Sequence, residues 1–253
     1  MARAAGDLVD ELDAWDPEET LLRPSWNVAP TADVPIVLER AVPPGEPGAE
    51  QRGEASVRRE LHVARWGLLP RWAKDESFSS RAFNARSETV TEKPTFRSAV
   101  KSTRAAVPVD GYYEWQAPAE GKGRKTPYFV HRVDGAPIVF AGLYSWWKDP
   151  AATDPEHAWM LTCSILTGPS PDPQEDGVLG RLGRLHDRLP LPLADADAIA
   201  AWLDPSDKEP GPLVESVRAH AFDAAREWTL HEVGAAVGNV RNNDPELIRP
   251  VGT

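Results

Sequence analysis

The chain has 253 residues, 41% of them hydrophobic and 26% charged, which suits one folded domain with a sizeable core and excludes a disordered chain. Its formal charge of −11, taken alone, argues against a polyanionic partner. A single cysteine, Cys163, excludes an internal disulfide or a multi-cysteine zinc site, and no apolar run approaches the roughly 18 residues of a membrane span. The start Met1-Ala2-Arg3-Ala4-Ala5-Gly6-Asp7 lacks the apolar core of a signal peptide, so a cytoplasmic location is expected.

In chain order, Gly6–Trp15 reads as a short amphipathic helix with Leu8, Val9, Leu12 and Trp15 on one side. Val34–Leu38 and Val57–Trp66 read as strands, separated by a Pro-, Gly- and Glu-rich exposed loop over Val42–Ala55. Glu92–Lys101 reads as a short helix with Pro94 in its first turn. Strands are predicted at Ala105–Val109, Tyr128–Val133, Ile138–Leu143 and Trp159–Leu166, with a hairpin loop over Ala117–Thr126. Gly168–Gly183 reads as a long loop, followed by helices at Ala194–Trp202 and Pro212–His220. No internal repeat or linker interrupts this pattern. The expectation is one α+β domain over residues 1–253, dominated by antiparallel strands.

The charge is unevenly placed. Ser56–Arg104 holds eleven basic and five acidic residues, so this segment carries +6 and the rest of the chain −17. Such a segment is either a solvated face or the footprint of a phosphate backbone. Trp66 and Trp72 lie within it, and aromatics interleaved with arginines can stack the bases of a single strand. Most of the ten tryptophans are expected to be packing residues.

Three stretches place reactive polar groups at the ends of apolar segments: Phe83–Thr89, Pro108–Trp115 and Leu185–Pro190. Glu114 stands between Tyr113 and Trp115, and a carboxyl desolvated by such neighbours has a raised pKa suited to acid–base work. The alternative is a surface glutamate at a strand end. His186 has the intrinsic pKa for proton transfer near neutrality, although a histidine beside Asp187 and Arg188 also suits a structural hydrogen bond. Asn84 is an amide at a turn, where amides also serve the backbone. Cys163, inside the apolar run Trp159–Leu166, reads as an inert buried thiol.

Together these stretches resemble the SRAP family, the SOS-response-associated peptidase or abasic-site-processing proteins. The resemblance rests on Trp26-Asn27-Val28-Ala29-Pro30-Thr31, Trp66-Gly67-Leu68-Leu69-Pro70-Arg71-Trp72-Ala73, Asn84-Ala85-Arg86-Ser87-Glu88-Thr89 and Phe96-Arg97. It continues through Pro108–Trp115, Lys125-Thr126-Pro127-Tyr128-Phe129, Ala141–Trp147, His186-Asp187-Arg188-Leu189-Pro190 and the tail Val240–Ile248, covering nearly the whole chain in the family's order.

The resemblance implies an α+β, barrel-like, mainly antiparallel sheet with peripheral helices. It also implies recognition of abasic sites in single-stranded DNA. In the family a cysteine behind the initiator Met condenses through its amine with the ring-opened sugar and closes a thiazolidine with its thiol. Asn84 matches the asparagine that positions the sugar, Glu114 the acid–base glutamate and His186 the histidine of the Schiff-base step. Arg86 and Arg97 match phosphate-holding arginines, and Trp66-Gly67-Leu68 the wedge beside the lesion. No metal, other cofactor or membrane is implied, and a monomer is expected. This chain departs from the family start Met-Cys-Gly-Arg-Tyr with Met1-Ala2-Arg3-Ala4. A start several residues short is expected, with loss of the covalent chemistry as the alternative.

Overall fold

The computed structural model describes residues 4–17, 19–52, 55–118, 121, 123–155 and 158–252. Helix α1 (Ala5–Leu12) ends where Asp13 turns left-handed at φ 48°, and Trp15 then runs beside Glu60 as an isolated bridge. Strands β1 (Asp33–Ala41), β2 (Glu50–Arg52) and β3 (Ala55–Trp66) follow. Then come β4 (Asn84–Arg86), α2 (Arg97–Ser102), β5 (Arg104–Val109), β6 (Gly111–Gln116) and β7 (Thr126–Arg132). The second half holds β8 (Ile138–Lys148), β9 (Trp159–Pro169), α3 (Gly177–Leu185) and β10 (Arg188–Pro190), then α4 (Ala196–Leu203), α5 (Pro210–Ala225) and β11 (Trp228–Glu232).

The larger sheet has the order β10-β9-β8-β5-β1-β3-β2, and β3 also pairs with β9. That pairing closes β9-β8-β5-β1-β3 into a ring, a partial barrel, with β4 joined to β9 outside the path. The second sheet is β11-β7-β6. The fold is thus α+β and mainly antiparallel, as expected.

Both faces of the ring are covered. On one, Val37, Leu61, Ala106, Leu143 and Leu166 pack in the same core as Leu8, Leu12, Trp202 and Val217 of the helices. On the other, Ile36, Leu38, Val107, Phe140, Cys163 and Ile165 share a core with Leu179, Leu182 and Leu230. A strand buried on both faces has no polar side, which is why Ile36-Val37-Leu38 and Ala105-Ala106-Val107 are continuous apolar runs.

Four expected elements need correction. The expected loop Gly168–Gly183 contains most of α3. Its glycines mimic a loop but are packing requirements: a Cβ on Gly180 would lie 1.8 Å from the Glu175 carbonyl oxygen, and one on Gly183 2.3 Å from that of Pro171. The expected helix Glu92–Lys101 is α-helical only from Arg97, because Thr89–Thr95 fold into turns and Pro94 precedes the helix. The loop Val42–Ala55 carries the short strand β2, paired with the start of β3. The helix expected to end at His220 runs to Ala225, where Ala221 and Ala225 are fully buried.

Arg104 is 3% exposed, and among the described residues no carboxylate hydrogen-bonds to it. Its guanidinium donates to the carbonyls of Val100 and Lys101 at the end of α2, of Trp202 in α4, and of Asp204 and Asp207 beyond it. One cation therefore satisfies helix-end carbonyls from two helices. Arg104→Met is expected to lower unfolding stability by about 3 kcal/mol, since several buried acceptors lose their donor. Urea unfolding of the two proteins measures this; a change below about 0.5 kcal/mol would contradict it.

Candidate functional site

A cavity of about 790 Å³ opens between the second sheet, one end of the strand ring and the loop Leu21–Pro30. Its walls are largely apolar, with Trp26, Trp66, Phe83, Tyr112, Tyr113 and Trp115 among the aromatic residues on them. The polar groups facing it include Asn84 and Glu114.

Asn84 opens β4, which runs parallel to β9 with Asn84 opposite Ile165. The preceding carbonyl, of Phe83, accepts both the Ile165 N–H at 3.0 Å and the Trp66 indole N–H at 2.9 Å. The Trp66 ring stands edge-on to Phe83, with centroids 5.7 Å apart. Trp66 and Asn84 are thereby fixed to one strand junction.

Glu114 lies in β6, and its Oε1 accepts the Trp115 N–H at 3.0 Å. Burial pushes its carboxyl above the ordinary value near 4.5, while the Trp115 N–H and the charges of His186 and Lys125 oppose the shift and Asp187 adds to it. The same burial raises the Tyr112 phenol and pushes Tyr113 up to about 12.

His186 follows α3 and does not line the cavity itself, but its charge acts on Glu114. Its Nδ1 accepts the Arg188 N–H at 3.0 Å and lies 3.1 Å from Asp187. Arg188 is anchored in turn by Glu88 and by the Thr167 carbonyl at 2.7 Å. Thr167 pairs with Arg86 on one side and Pro190 on the other. The three polar stretches of the sequence therefore meet around β9 and the mouth of one cavity.

The remaining expected residues separate. Arg86 and Arg97 are exposed, and their side chains make no hydrogen bond or ion pair among the described residues. Of Trp66-Gly67-Leu68, only Trp66 reaches the cavity. Leu68 is 0% exposed and belongs to the core. Gly67 sits at φ +149°, where a Cβ would lie 2.2 Å from the Ser79 hydroxyl and 2.5 Å from its carbonyl oxygen. Cys163 is fully buried with its thiol pushed up, in keeping with an inert group.

Sequence reasoning missed the clasp that forms the cavity's outer wall. The Asn27 amide donates to the Val237, Asn239 and Asn242 carbonyls, and Asn243 accepts the Trp26 N–H at 2.7 Å. The Tyr113 hydroxyl donates to the Trp26 carbonyl at 2.7 Å. Both segments stand out in the sequence as motifs, but nothing there pairs them. Among the described residues no group of three or more His, Cys, Asp or Glu is arranged to hold a metal, and no helix is long and apolar enough to cross a membrane.

Residues 1–240 match the family described as SOS response associated peptidase (SRAP). The chain belongs to the SRAP family. It is 32% identical over 225 residues to the abasic site processing protein YoqW of Bacillus subtilis, covering 89% of this chain and 85% of that protein. It is 28% identical over 251 residues to the abasic site processing protein HMCES of Gallus gallus, covering 90% and 67%. A crystal structure of a protein from Bordetella bronchiseptica shares the SRAP chain's fold with TM-score 0.63 at 22% identity, covering 92% and 97%. One from Bacteroides thetaiotaomicron gives 0.62 at 25% identity over 76% and 77%.

Glu88 and Glu114 are expected to give this SRAP protein opposite pH signatures. The Arg188 hydrogen bonds hold Glu88 at about 2. A depressed pKa adds stability above the ordinary value near 4.5, lost as pH falls toward about 2. A raised pKa acts the other way: Glu114 costs stability as pH rises above 4.5 through its folded value. At pH 7 Glu88→Gln is expected to lower stability by about 1 kcal/mol, screening included, and Glu114→Gln to raise Tm. Both differences should shrink as the pH is lowered toward 4. Thermal melts across that range test this, and Tm shifts of the same sign for both variants would contradict it.

Proposed function

We propose that this protein binds single-stranded DNA and draws an abasic sugar into the aromatic cavity, where Asn84, Glu114 and His186 process it. The observation that carries the reading is Glu114, a half-buried carboxyl on the lining of a largely apolar cavity, with Asn84 on its wall and His186 within electrostatic reach. The family membership and the names of the relatives support the abasic-site role.

The chemistry follows from protonation states. A carboxyl raised by burial keeps its proton to higher pH than an exposed one and can donate it to the ring oxygen as the sugar opens to its aldehyde. The Asn84 amide offers a donor and an acceptor to the hydroxyls of the open sugar. A primary amine then adds to the aldehyde, and loss of one water gives the Schiff base. His186, whose charge reaches Glu114, serves proton transfer in that dehydration. In the family form the thiol of the same N-terminal cysteine adds across the C=N bond and closes the thiazolidine, with no further loss of atoms. The aromatic walls exclude the water that would compete.

In this chain Ala2 follows Met1, and the only thiol, Cys163, lies buried in mid-chain. Incubated with abasic single-stranded DNA, the chain is therefore expected to give an adduct trapped only by borohydride. A variant beginning Met-Cys-Gly-Arg-Tyr is expected to give a heat-stable one on a denaturing gel. No preference for abasic over intact DNA, together with no adduct from either protein, would overturn the reading. The exposed cations generate a separate expectation. Arg86→Ala and Arg97→Ala should each weaken single-strand binding and lower the slope of log K against log salt by about 0.7 per lost phosphate contact. Unchanged slopes would remove both from the DNA track.

A further inference from the structure

The reading above takes its phosphate contacts from Arg86 on β4, two residues from Asn84, and from Arg97 at the start of α2, and none from the β6–β7 hairpin. A nucleotide carries a phosphate on each side of its sugar. The opposite wall is the β6–β7 hairpin. Its register pairs Glu114 with Tyr128 and ends at Gln116 opposite Thr126. Lys125 is the residue just beyond that last pair, where the hairpin loop enters β7, the strand next to Glu114. The Gln116 amide donates to the Arg184 carbonyl at 3.5 Å, which ties this end of the hairpin to α3 just ahead of His186. Lys125 thus stands next to the hairpin end that is tied to α3, and its charge reaches Glu114. It is exposed and makes no hydrogen bond or ion pair among the described residues.

We propose that Lys125 is the phosphate-binding residue of the hairpin wall, taking the backbone phosphate on the side of the lesion opposite Arg86. This rests on the proposed single-stranded DNA substrate. A lysine suits the position: its ammonium is a point charge on a flexible stem, which follows a mobile single strand better than a planar fork. Its charge also opposes the protonated form of Glu114. A phosphate bound at Lys125 offsets that charge, so docking of the strand favours the protonated acid at the moment the sugar arrives.

The test measures binding of an abasic and an intact oligonucleotide at several salt concentrations by the wild type, Lys125→Met, Lys125→Arg and, as a remote control of equal charge change, Lys208→Ala. Lys125→Met is expected to bind both DNAs about threefold or more weakly at low salt, with a slope lowered by about 0.7 and an unchanged melting temperature. Lys125→Arg should keep the wild-type slope, and Lys208→Ala should match the wild type. A wild-type slope in Lys125→Met, or an equal loss in Lys208→Ala, overturns the assignment. If the wild type binds both DNAs equally while Lys125→Met still loses slope, the phosphate contact stands and the abasic reading fails. No DNA binding by the wild type overturns both.

Discussion

The seam where β3 meets β9 is the constraint on which the rest of the site depends. Two residues, Arg65 and Trp66, pair in parallel with Thr162 and Cys163, and the Gly67 N–H donates to the Cys163 carbonyl at 2.8 Å. The chain then turns beneath Ser79 in a space that admits no Cβ. Closure at this point has three consequences. It turns a flat sheet into a ring, delivers Trp66 to the cavity rim, and sends the following segment back so that β4 joins β9 a few residues further on. Asn84 reaches the cavity because Gly67 allows the turn.

Within that frame, environment assigns different tasks to chemically identical side chains. Burial works against the charge of Glu60, but hydrogen bonds from Arg40, His62 and Arg58 win and its carboxyl stays below the ordinary value. Glu88 is held down by Arg188 and fixes the strand that follows His186. Glu114 receives one backbone N–H and no ion pair among the described residues, so burial prevails. Two of these glutamates stabilise the fold as anions. The third sits in an apolar cavity at a cost to stability, which is the usual mark of a group kept for chemistry.

The periodicity of the sequence made most strands legible, because a strand buried on both faces leaves a continuous apolar run. It made α3 illegible, since Gly177, Gly180 and Gly183 give the composition of a loop while close packing is what requires Gly180 and Gly183. Glu114 was legible through its aromatic neighbours, and Asn84 and His186 through their motifs. Their meeting was not, because it depends on β4 and β10 pairing with β9, contacts about 80 residues apart for Asn84 and Ile165 that no local pattern encodes. The burial of Leu68 was not legible for a related reason: a motif marks which residues belong together, not which of them face the solvent.

The central claim is that the cavity formed by this closure keeps Glu114 protonated above the range of ordinary carboxyls. Carbon-13 NMR titration of the side-chain carboxyls, with Glu114→Gln used to assign the resonance, measures this directly. The account predicts a Glu114 midpoint above 4.5, higher than those of the exposed glutamates. A midpoint at or below 4.5 would mean that water reaches the carboxyl freely, and would contradict both the desolvated site and the acid–base role built on it.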